Sequence, residues 1–221
     1  MNYSIKIFIE FDIELESMWN SFHEKNGWSP FQTFIWLSHW QNFVGDRYYN
    51  ISPQIVVVES QSEIIAILPL GIRKFKGLNI LEWLGGIHCD YKGPILSNKF
   101  DILIESFADF WLKVQSQINS FDVILLTRQP KNLKECMNPF VNALENRFGI
   151  SAYSSTLESD WENFYSKRIK KKRQGDSRRQ LKRLSEMGDL FFDPDCVRTT
   201  KQTVIGKMIE HKRYRYRQTK T

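Results

Sequence analysis

Residues 55–70, IVVVESQSEIIAILPL, contain the two apolar runs that decide the fold of this chain. Both runs are rich in β-branched or aliphatic residues, and the polar triplet at 60–62 separates them. Two such runs around a short polar turn predict a β-hairpin. Similar runs lie at residues 5–11 and 78–84, the second of them directly after a Lys76-Gly77 turn. We therefore expect a sheet built mostly from strands that are neighbours in the sequence.

Helical patterns flank these strands. Residues 15–25 and 30–44 predict two helices before the hairpin, the second of which should end at Gly45. Residues 101–118 predict a long amphipathic helix after it. The remaining expected elements are a strand buried on both faces at 121–127, a helix at 137–148 and a strand at 150–157. This order predicts the α/β class, with a mixed sheet that carries helices on its faces.

Residues 158–188 are predicted to form a basic helical arm. Ser159 and Glu162 have the spacing of a capping box, which predicts the start of a helix. Gly175 is expected to interrupt this helix, and a second capping box at residues 177–180 is expected to restart it.

Residues 189–221 contain a short strand candidate at 190–192 and a last helix that Thr199 or Thr200 would cap. Over the final 64 residues, a lone short strand and three helices make a poor domain. The predicted organisation is therefore a first domain over residues 1–157, the basic arm over 158–188, and an incomplete second domain over 189–221.

Positive charge is concentrated in one stretch. Ten of the 17 residues from Lys167 to Arg183 are Lys or Arg, and Asp176 is the only acid among them. This stretch carries +9 of a chain whose net charge is +6, so the other residues sum to −3. Concentrated cations attract polyanions such as phosphate backbones and anionic lipid surfaces. The candidate anion-binding residues are Lys170, Lys171, Lys172, Arg173, Arg178 and Arg179.

Three interpretations of the basic stretch stay open: a solvated helical face, a site for an anionic ligand or membrane surface, and a nucleic-acid contact. The stretch lacks interleaved aromatic residues for base stacking, and no helix-turn-helix pattern surrounds it. We therefore expect no specific nucleic-acid partner.

Composition narrows the class of protein. An apolar content of 42% is sufficient for a packed core and excludes a wholly disordered chain. The three cysteines form no CxxC pair, and the four histidines are far apart in sequence, so neither a disulfide framework nor a metal site is expected. The longest apolar run, residues 64–70, is too short to span a bilayer, and the first residues do not resemble a signal peptide. We expect a soluble, cytoplasmic protein without a transmembrane segment.

One predicted loop contains side chains that could take part in catalysis or in substrate binding. His88, Cys89, Asp90 and Tyr91 bring acid–base and nucleophilic side chains together in sequence. A Cys–His pair becomes nucleophilic only when the base reaches the thiol in space, so local loop structure is the alternative interpretation. His88, Asp90 and Tyr91 are candidate substrate-binding residues. Trp36 is a further candidate through stacking on a sugar or acyl group, although core positions are expected for the tryptophans 36, 40, 83 and 111.

Four segments carry a resemblance to a known family. They are SPFQTFIWL at 29–37, IAILPL at 65–70, LGG at 84–86 followed by DYKGP at 90–94, and RRQLKRL at 178–184 followed by Gly188. In this order and spacing they resemble the cellulose-biosynthesis-associated acetyltransferase family, over residues 15–217. That family is a branch of the GNAT superfamily and is similar to the Fem-type aminoacyl-transferases.

The resemblance implies two GNAT-like domains in tandem, the first over residues 1–157 and the second beginning at residue 189. It implies transfer of an acyl or aminoacyl group from acyl-CoA or a related donor to an amine or hydroxyl. The acceptor would be a small molecule or a glycan precursor of the envelope or of a polysaccharide. The resemblance does not place the catalytic base.

The resemblance also implies a loop that binds the pyrophosphate of acyl-CoA, of the type Gln/Arg-x-x-Gly-x-Gly/Ala at a helix N-terminus. This sequence contains no Gly-x-Gly. We therefore expect no tight binding of acyl-CoA. Two alternatives to an active acyltransferase stay open: a truncated chain that only folds, and a non-enzymatic module that binds polyanions.

Overall fold

The computed structural model describes residues 3–104, 106–134, 136–143, 155–195, 197 and 199–219. The chain divides into two compact units, Met1–Ser151 and Ala152–Thr221. The first unit is a mixed α/β structure, so the predicted class is confirmed at this level.

A six-stranded sheet forms the centre of the first unit. Its strands are β1 (Tyr3–Phe8), β2 (Ile51–Ser60), β3 (Glu63–Phe75), β4 (Leu78–Trp83), β5 (Ile95–Leu96) and β6 (Val123–Ile124). The order across the sheet is β1-β2-β3-β4-β6, and β5 pairs with β3. All these pairs are antiparallel except β4 with β6, which run parallel.

The hairpin predicted from residues 55–70 is confirmed. β2 and β3 are joined by Gln61 and Ser62, whose φ angles of 53° and 63° both lie in the left-handed region. A two-residue turn with both central residues left-handed matches the twist of paired strands. Lys76 and Gly77 make the same kind of turn between β3 and β4, with φ angles of 51° and 83°.

Helical segments connect β1 to β2. Helix α1 (Ile13–Asn26) begins at Asp12, whose side chain accepts a hydrogen bond from the Leu15 N–H at 2.8 Å. Helix α2 (Phe34–Trp40) continues through a π-helical turn, Gln41–Gly45, into α3 (Asp46–Tyr49). The prediction that Gly45 ends the helix is wrong, because Gly45 keeps helical dihedral angles. The left-handed residue that follows the last helical turn is Asn50, at φ 51°.

The single helix predicted at 101–118 is in fact two helices, α4 (Phe100–Leu103) and α5 (Phe107–Gln117). The backbone is extended at Ile104 and at Ser106. The Ser106 hydroxyl accepts a hydrogen bond from the Asp109 N–H at 3.3 Å and so caps α5. Because serine competes for backbone donors in this way, it starts a new helix where apolar periodicity predicted a continuous one.

The strand predicted at 121–127 is shorter than expected. β6 has β4 as its partner and lies at the edge of the sheet, and Val123 is 43% exposed. The prediction that this strand is buried on both faces is therefore wrong. It is followed by a small hairpin of β7 (Asn132–Leu133) and β8 (Cys136–Met137), and then by α6 (Pro139–Ala143).

The helix predicted at 137–148 begins two residues late, at Pro139, and its part from residue 144 onward lies outside the described residues. The strand predicted at 150–157 lies mostly outside them as well. Its described part, residues 155–157, is not in a strand.

Apolar cores cover both faces of the sheet. Val56 and Val58 face a core that includes α5 and Phe140, whereas Ile55 and Val57 face a core that includes α1 and α2. Alternate residues of a strand point to opposite faces, so a strand covered on both sides needs a continuous apolar run.

The second unit contains α7 (Trp161–Arg168), α8 (Lys171–Ser185) and α9 (Lys201–Thr219). Among its described side chains, Phe164 is the only buried one. The Asp160 side chain caps α7 by accepting a hydrogen bond from the Asn163 N–H at 3.1 Å. The capping box predicted at Ser159 and Glu162 is therefore wrong by one residue.

Helix α8 runs through Gly175 without a break. The interruption falls at Ile169 and Lys170, whose ψ angles of 123° and 138° are not helical. The predicted break at Gly175 and the capping box at residues 177–180 are therefore wrong, because an interior glycine costs a helix only about 1 kcal/mol. Thr200 caps α9 as expected, with its Oγ1 accepting from the Thr203 N–H at 3.2 Å.

Residues 190–192 do not form the predicted strand. Within the described residues, no helix combines the length and the apolarity that a bilayer span would need.

Candidate functional site

The segment of residues 84–94, named the site loop, begins at the carboxyl end of β4, beside the parallel strand β6. It turns at Gly85 and Gly86, whose φ angles are 100° and 52°. A Cβ atom on Gly85 would lie 2.2 Å from the Cys89 Sγ, so the loop requires glycine at this position. Ligands of parallel α/β sheets bind beyond the carboxyl ends of the strands, and β4 and β6 are the parallel pair of this mostly antiparallel sheet, which makes the site loop the candidate functional site.

Polar side chains from the segment before α2 hold the end of the site loop. Gln32 is buried, and its Nε2 donates hydrogen bonds to the carbonyl oxygens of Gly93 and Pro94 at 3.0 and 2.9 Å. Trp28 Nε1 donates to the same Pro94 oxygen at 3.0 Å. Two segments that carry the family resemblance are therefore joined in space by side-chain hydrogen bonds.

Cys89 lies at the bottom of the site loop and is fully buried. Trp36 Nε1 donates a hydrogen bond to its Sγ at 3.1 Å. Burial raises the pKa of the Cys89 thiol, although the Trp36 hydrogen bond acts in the opposite direction. A thiol that is buried and protonated is a poor nucleophile, so Cys89 is a structural residue of the loop. The Trp36 ring is 40% exposed, which corrects the expectation that it belongs to the core.

The contacts of His88 are with aromatic side chains. Its Nδ1 accepts a hydrogen bond from Trp40 Nε1 at 3.2 Å, and its ring meets Tyr49 edge-on at a centroid distance of 6.4 Å. Within the described residues, no hydrogen bond joins His88 to Cys89. The arrangement that a nucleophilic Cys–His pair needs is therefore not formed.

Arg128 holds the middle of the site loop. Its Nη1 donates a hydrogen bond to the Cys89 carbonyl oxygen at 3.2 Å and lies 3.6 Å from Asp90 Oδ1. The Arg128 carbonyl in turn accepts from the Lys92 N–H at 3.0 Å. Asp90 and Tyr91 themselves are exposed, so both can contact a ligand.

The most unusual group of the site is the Lys92 side chain, of which only 6% is exposed. Burial lowers the pKa of its ammonium, and the nearby Glu82 carboxylate opposes that shift. Glu82 Oε2 lies 3.0 Å from Arg73 Nε, and both side chains of this ion pair are largely buried. Among the described residues, no hydrogen bond to the Lys92 ammonium is found.

Sequence reasoning selected Trp36, His88, Asp90 and Tyr91 but did not select the charged residues around them. These missed residues are Arg73, Glu82, Lys92 and Arg128. One signal was available for Glu82, because a carboxylate within the apolar run at 78–84 is unusual. Nothing in the sequence distinguished Lys92 or Arg128 from surface cations, since their burial and contacts arise only in the folded chain.

The basic arm is a second candidate site. The residues predicted to bind anions are all exposed, and all but Lys170 belong to α8. Arg179 forms an ion pair with Asp176 one turn before it. The first turn of α8 contains no acidic residue, and its last turn contains Lys182 and Arg183. The Lys and Arg side chains of this helix are exposed to solvent along its whole length.

The described residues contain no group of three His, Cys, Asp or Glu side chains that could hold a metal ion. No family model matches the chain, and no curated protein or solved structure is significantly similar to it.

Proposed function

We propose that this chain is a GNAT-type acyltransferase whose site loop binds the acceptor, an amine or hydroxyl on an envelope or polysaccharide precursor. The observation that carries the proposal is the position of three charged residues: Glu82 lies near the end of β4, and Lys92 and Arg128 lie in the segments that follow β4 and β6, the parallel pair of the sheet. Ligands of parallel α/β sheets bind beyond the carboxyl ends of such strands. The resemblance of the same segments to an acetyltransferase family supports acyl transfer as the reaction.

Acyl transfer to an amine or hydroxyl needs a base that takes a proton from the attacking atom. Lys92 is the candidate for this role, because burial lowers its pKa and favours the neutral amine. Asp90 and Tyr91 are exposed and would bind hydroxyl or ammonium groups of the acceptor. The exposed face of Trp36 would stack on the apolar face of a sugar ring.

The site loop does not fit the pyrophosphate of acyl-CoA. Gly85 and Gly86 lead into a three-residue 3₁₀ turn, Gly86–His88, and not into an α-helix with free N–H groups. The proposal is therefore confined to the acceptor. Calorimetric titration of the chain with acetyl-CoA should show no micromolar affinity, and a micromolar dissociation constant would contradict this part of it.

Binding of acceptors tests the proposal. Saturation-transfer NMR with glucosamine and cellobiose should give signals with the wild-type chain, and Trp36→Ala and Asp90→Asn should each remove most of the signal. The matched control is Trp161→Ala, which removes an exposed tryptophan of the second unit and should leave the signal unchanged. The proposal fails if wild type binds neither sugar, or if the two site variants bind as wild type does.

A second function, the binding of polyanions, is favoured by the exposure of the basic residues of α8. Replacing residues 170–173 with Gln should lower the salt concentration at which the chain elutes from heparin. It should also reduce the slope of log affinity against log salt by about 3 to 4. The melting temperature should stay constant, because exposed charges contribute less than about 1 kcal/mol each.

The control for this experiment replaces four exposed cations of α9 with Gln: Lys212, Arg213, Arg215 and Arg217. If both quadruple variants lose retention equally, the effect comes from net charge and not from α8. Binding that is sequence-selective and weakly dependent on salt would instead indicate a nucleic-acid reader.

A further inference from the structure

A groove of about 820 Å³ lies in the first unit, apart from the site loop. Residues of α1, of β3 and β5, of the turn after β5 and of the small hairpin β7–β8 line it. Its volume is within the range of about 300 to 1,000 Å³ that small-molecule sites occupy. None of residues 84–94 of the site loop lines it, so it is a separate feature from the proposed acceptor site.

The base of the groove is apolar. Phe22, Leu96 and Leu133 line it and are each less than 10% exposed, so they belong to the packed interior. Ile64 and Trp28 are partly exposed beside them. A ligand that covers Ile64 and Trp28 would remove their exposed apolar surface from water, which favours an apolar body.

The rim of the groove is cationic. Lys25, Lys99 and Lys134 line it, and among the described lining residues Glu63 is the only carboxylate. Lys99 forms an ion pair with Glu63. Lys99 lowers the pKa of the Glu63 carboxyl group, and the charge of Lys25 lowers it further by a smaller amount. Lys134 Nζ donates a hydrogen bond to the Lys25 carbonyl oxygen at 3.0 Å, which holds its charge at the end of α1. Three ammonium groups against one carboxylate leave a net charge of +2 at the rim.

We infer that this groove binds an amphipathic anion, in which an apolar body lies on the partly exposed Trp28 and Ile64 and a phosphate or carboxylate head meets Lys25 and Lys134. Cations that are not compensated by nearby acids attract such a head group. The apolar body comes either from an alkyl chain or from an aromatic ring. The experiment separates these two sources.

Three probes are titrated by calorimetry: dodecyl phosphate below its critical micelle concentration, 1-naphthyl phosphate, and inorganic phosphate. At least one of the two amphiphiles should bind at one site per chain and at least tenfold more tightly than inorganic phosphate. Tighter binding of dodecyl phosphate identifies an alkyl chain as the apolar body, and tighter binding of 1-naphthyl phosphate identifies an aromatic ring. If neither binds more tightly than inorganic phosphate, the inference is wrong.

Two variants localise the binding. The double variant Lys25→Gln with Lys134→Gln should bind the tighter-binding amphiphile at least tenfold more weakly, because it lacks the charges opposite the head group. Ser21→Trp adds a ring at an exposed position of α1 that lines the groove and should block it. The control, Lys74→Gln with Lys76→Gln, removes two exposed lysines that do not line the groove. Equal binding by all four proteins would overturn the assignment.

Discussion

The two units of this chain are folded by different forces. The sheet of the first unit has an apolar core on each face, whereas Phe164 is the only buried side chain among the described residues of the second. Burial of apolar surface supplies most of the stability of a layered unit. Exposed helices depend instead on caps, on helix propensity and on side-chain pairs three or four residues apart. The first unit is therefore stabilised by long-range packing, and the helices of the second unit by local interactions.

The largest expected contrast comes from deleting an apolar side chain in each unit. Phe140 is fully buried, and its ring contacts those of Phe107, Trp83 and Trp111 at centroid distances of 4.9, 5.1 and 5.1 Å. We expect Phe140→Ala to lower the free energy of unfolding by about 3 to 5 kcal/mol in urea titrations. Leu181→Ala in α8 should change it by less than about 0.5 kcal/mol. A comparable loss in both variants would mean that α8 covers a core.

An ion pair in each unit gives the next contrast. Arg73 and Glu82 are largely buried, so Glu82→Gln leaves a buried cation unpaired and should cost about 3 kcal/mol. Asp176→Asn removes the exposed partner of Arg179 and should cost less than about 1 kcal/mol. Urea denaturation of both variants measures the difference. Adding Arg73→Met to Glu82→Gln should recover part of the loss, and a failure to recover it would show that Glu82 acts through another partner.

The pH dependence of stability tests the buried cation of the first unit. Burial lowers the pKa of Lys92 in the folded chain below its ordinary value of 10.5. The unfolded chain then binds the proton more tightly, so the free energy of unfolding rises with pH up to about 10.5. We expect Lys92→Met to be more stable than wild type at neutral pH, with an advantage that shrinks as the pH approaches 10.5.

Denaturant titrations of Lys92→Met and wild type from pH 6 to pH 10 measure this change, and Lys74→Met controls for the loss of one exposed charge. A constant difference across this range would contradict it.

The smallest expected effects concern one glycine in each unit. A Cβ at Gly175 meets no atom within 4 Å, and α8 is helical there, so Gly175→Ala should stabilise the helix by about 0.5 to 1 kcal/mol. Gly77 is equally open, but its φ of 83° disfavours a side chain, so Gly77→Ala should cost about 1 kcal/mol. Circular dichroism and thermal unfolding check both variants. If both substitutions raised stability, or both lowered it, the backbone conformations at residues 77 and 175 would not differ as described.

Local signals in the sequence predicted those elements whose ends are set by local chemistry. The hairpin of β2 and β3 follows from two apolar runs and a polar turn, and the start of α9 follows from the hydroxyl of Thr200. Both depend on groups within a few residues of each other. Such elements are predictable because the deciding interaction is itself visible in the sequence.

Predictions failed where a distant or competing interaction decided the outcome. The helix predicted at 101–118 is divided because Ser106 caps a new helix. The spacing of apolar residues contains no information about a cap that lies within the predicted helix. Trp36 was expected in the core, yet it is 40% exposed, and its N–H donates to Cys89, 53 residues away, a contact that forms only in the folded chain. The buried position of Lys92 also depends on chain segments that meet only after folding, so the most unusual charge of the candidate site could not be predicted.

The hydrogen bonds from Gln32 and Trp28 to the end of the site loop have a consequence for the history of this chain. Pro94 has no N–H to donate, and its carbonyl oxygen accepts from both side chains. A substitution at position 32 alone would leave the Gly93 carbonyl without this donor, which costs about 1 to 3 kcal/mol, whereas the Pro94 carbonyl would keep its hydrogen bond from Trp28. Because both acceptors are main-chain carbonyls, which every residue has, the hydrogen bonds constrain the donors and not the residue at position 94. Among descendants of a common ancestor, we therefore expect the side chains at positions 28 and 32 to be retained, because a loop more than 60 residues away depends on them.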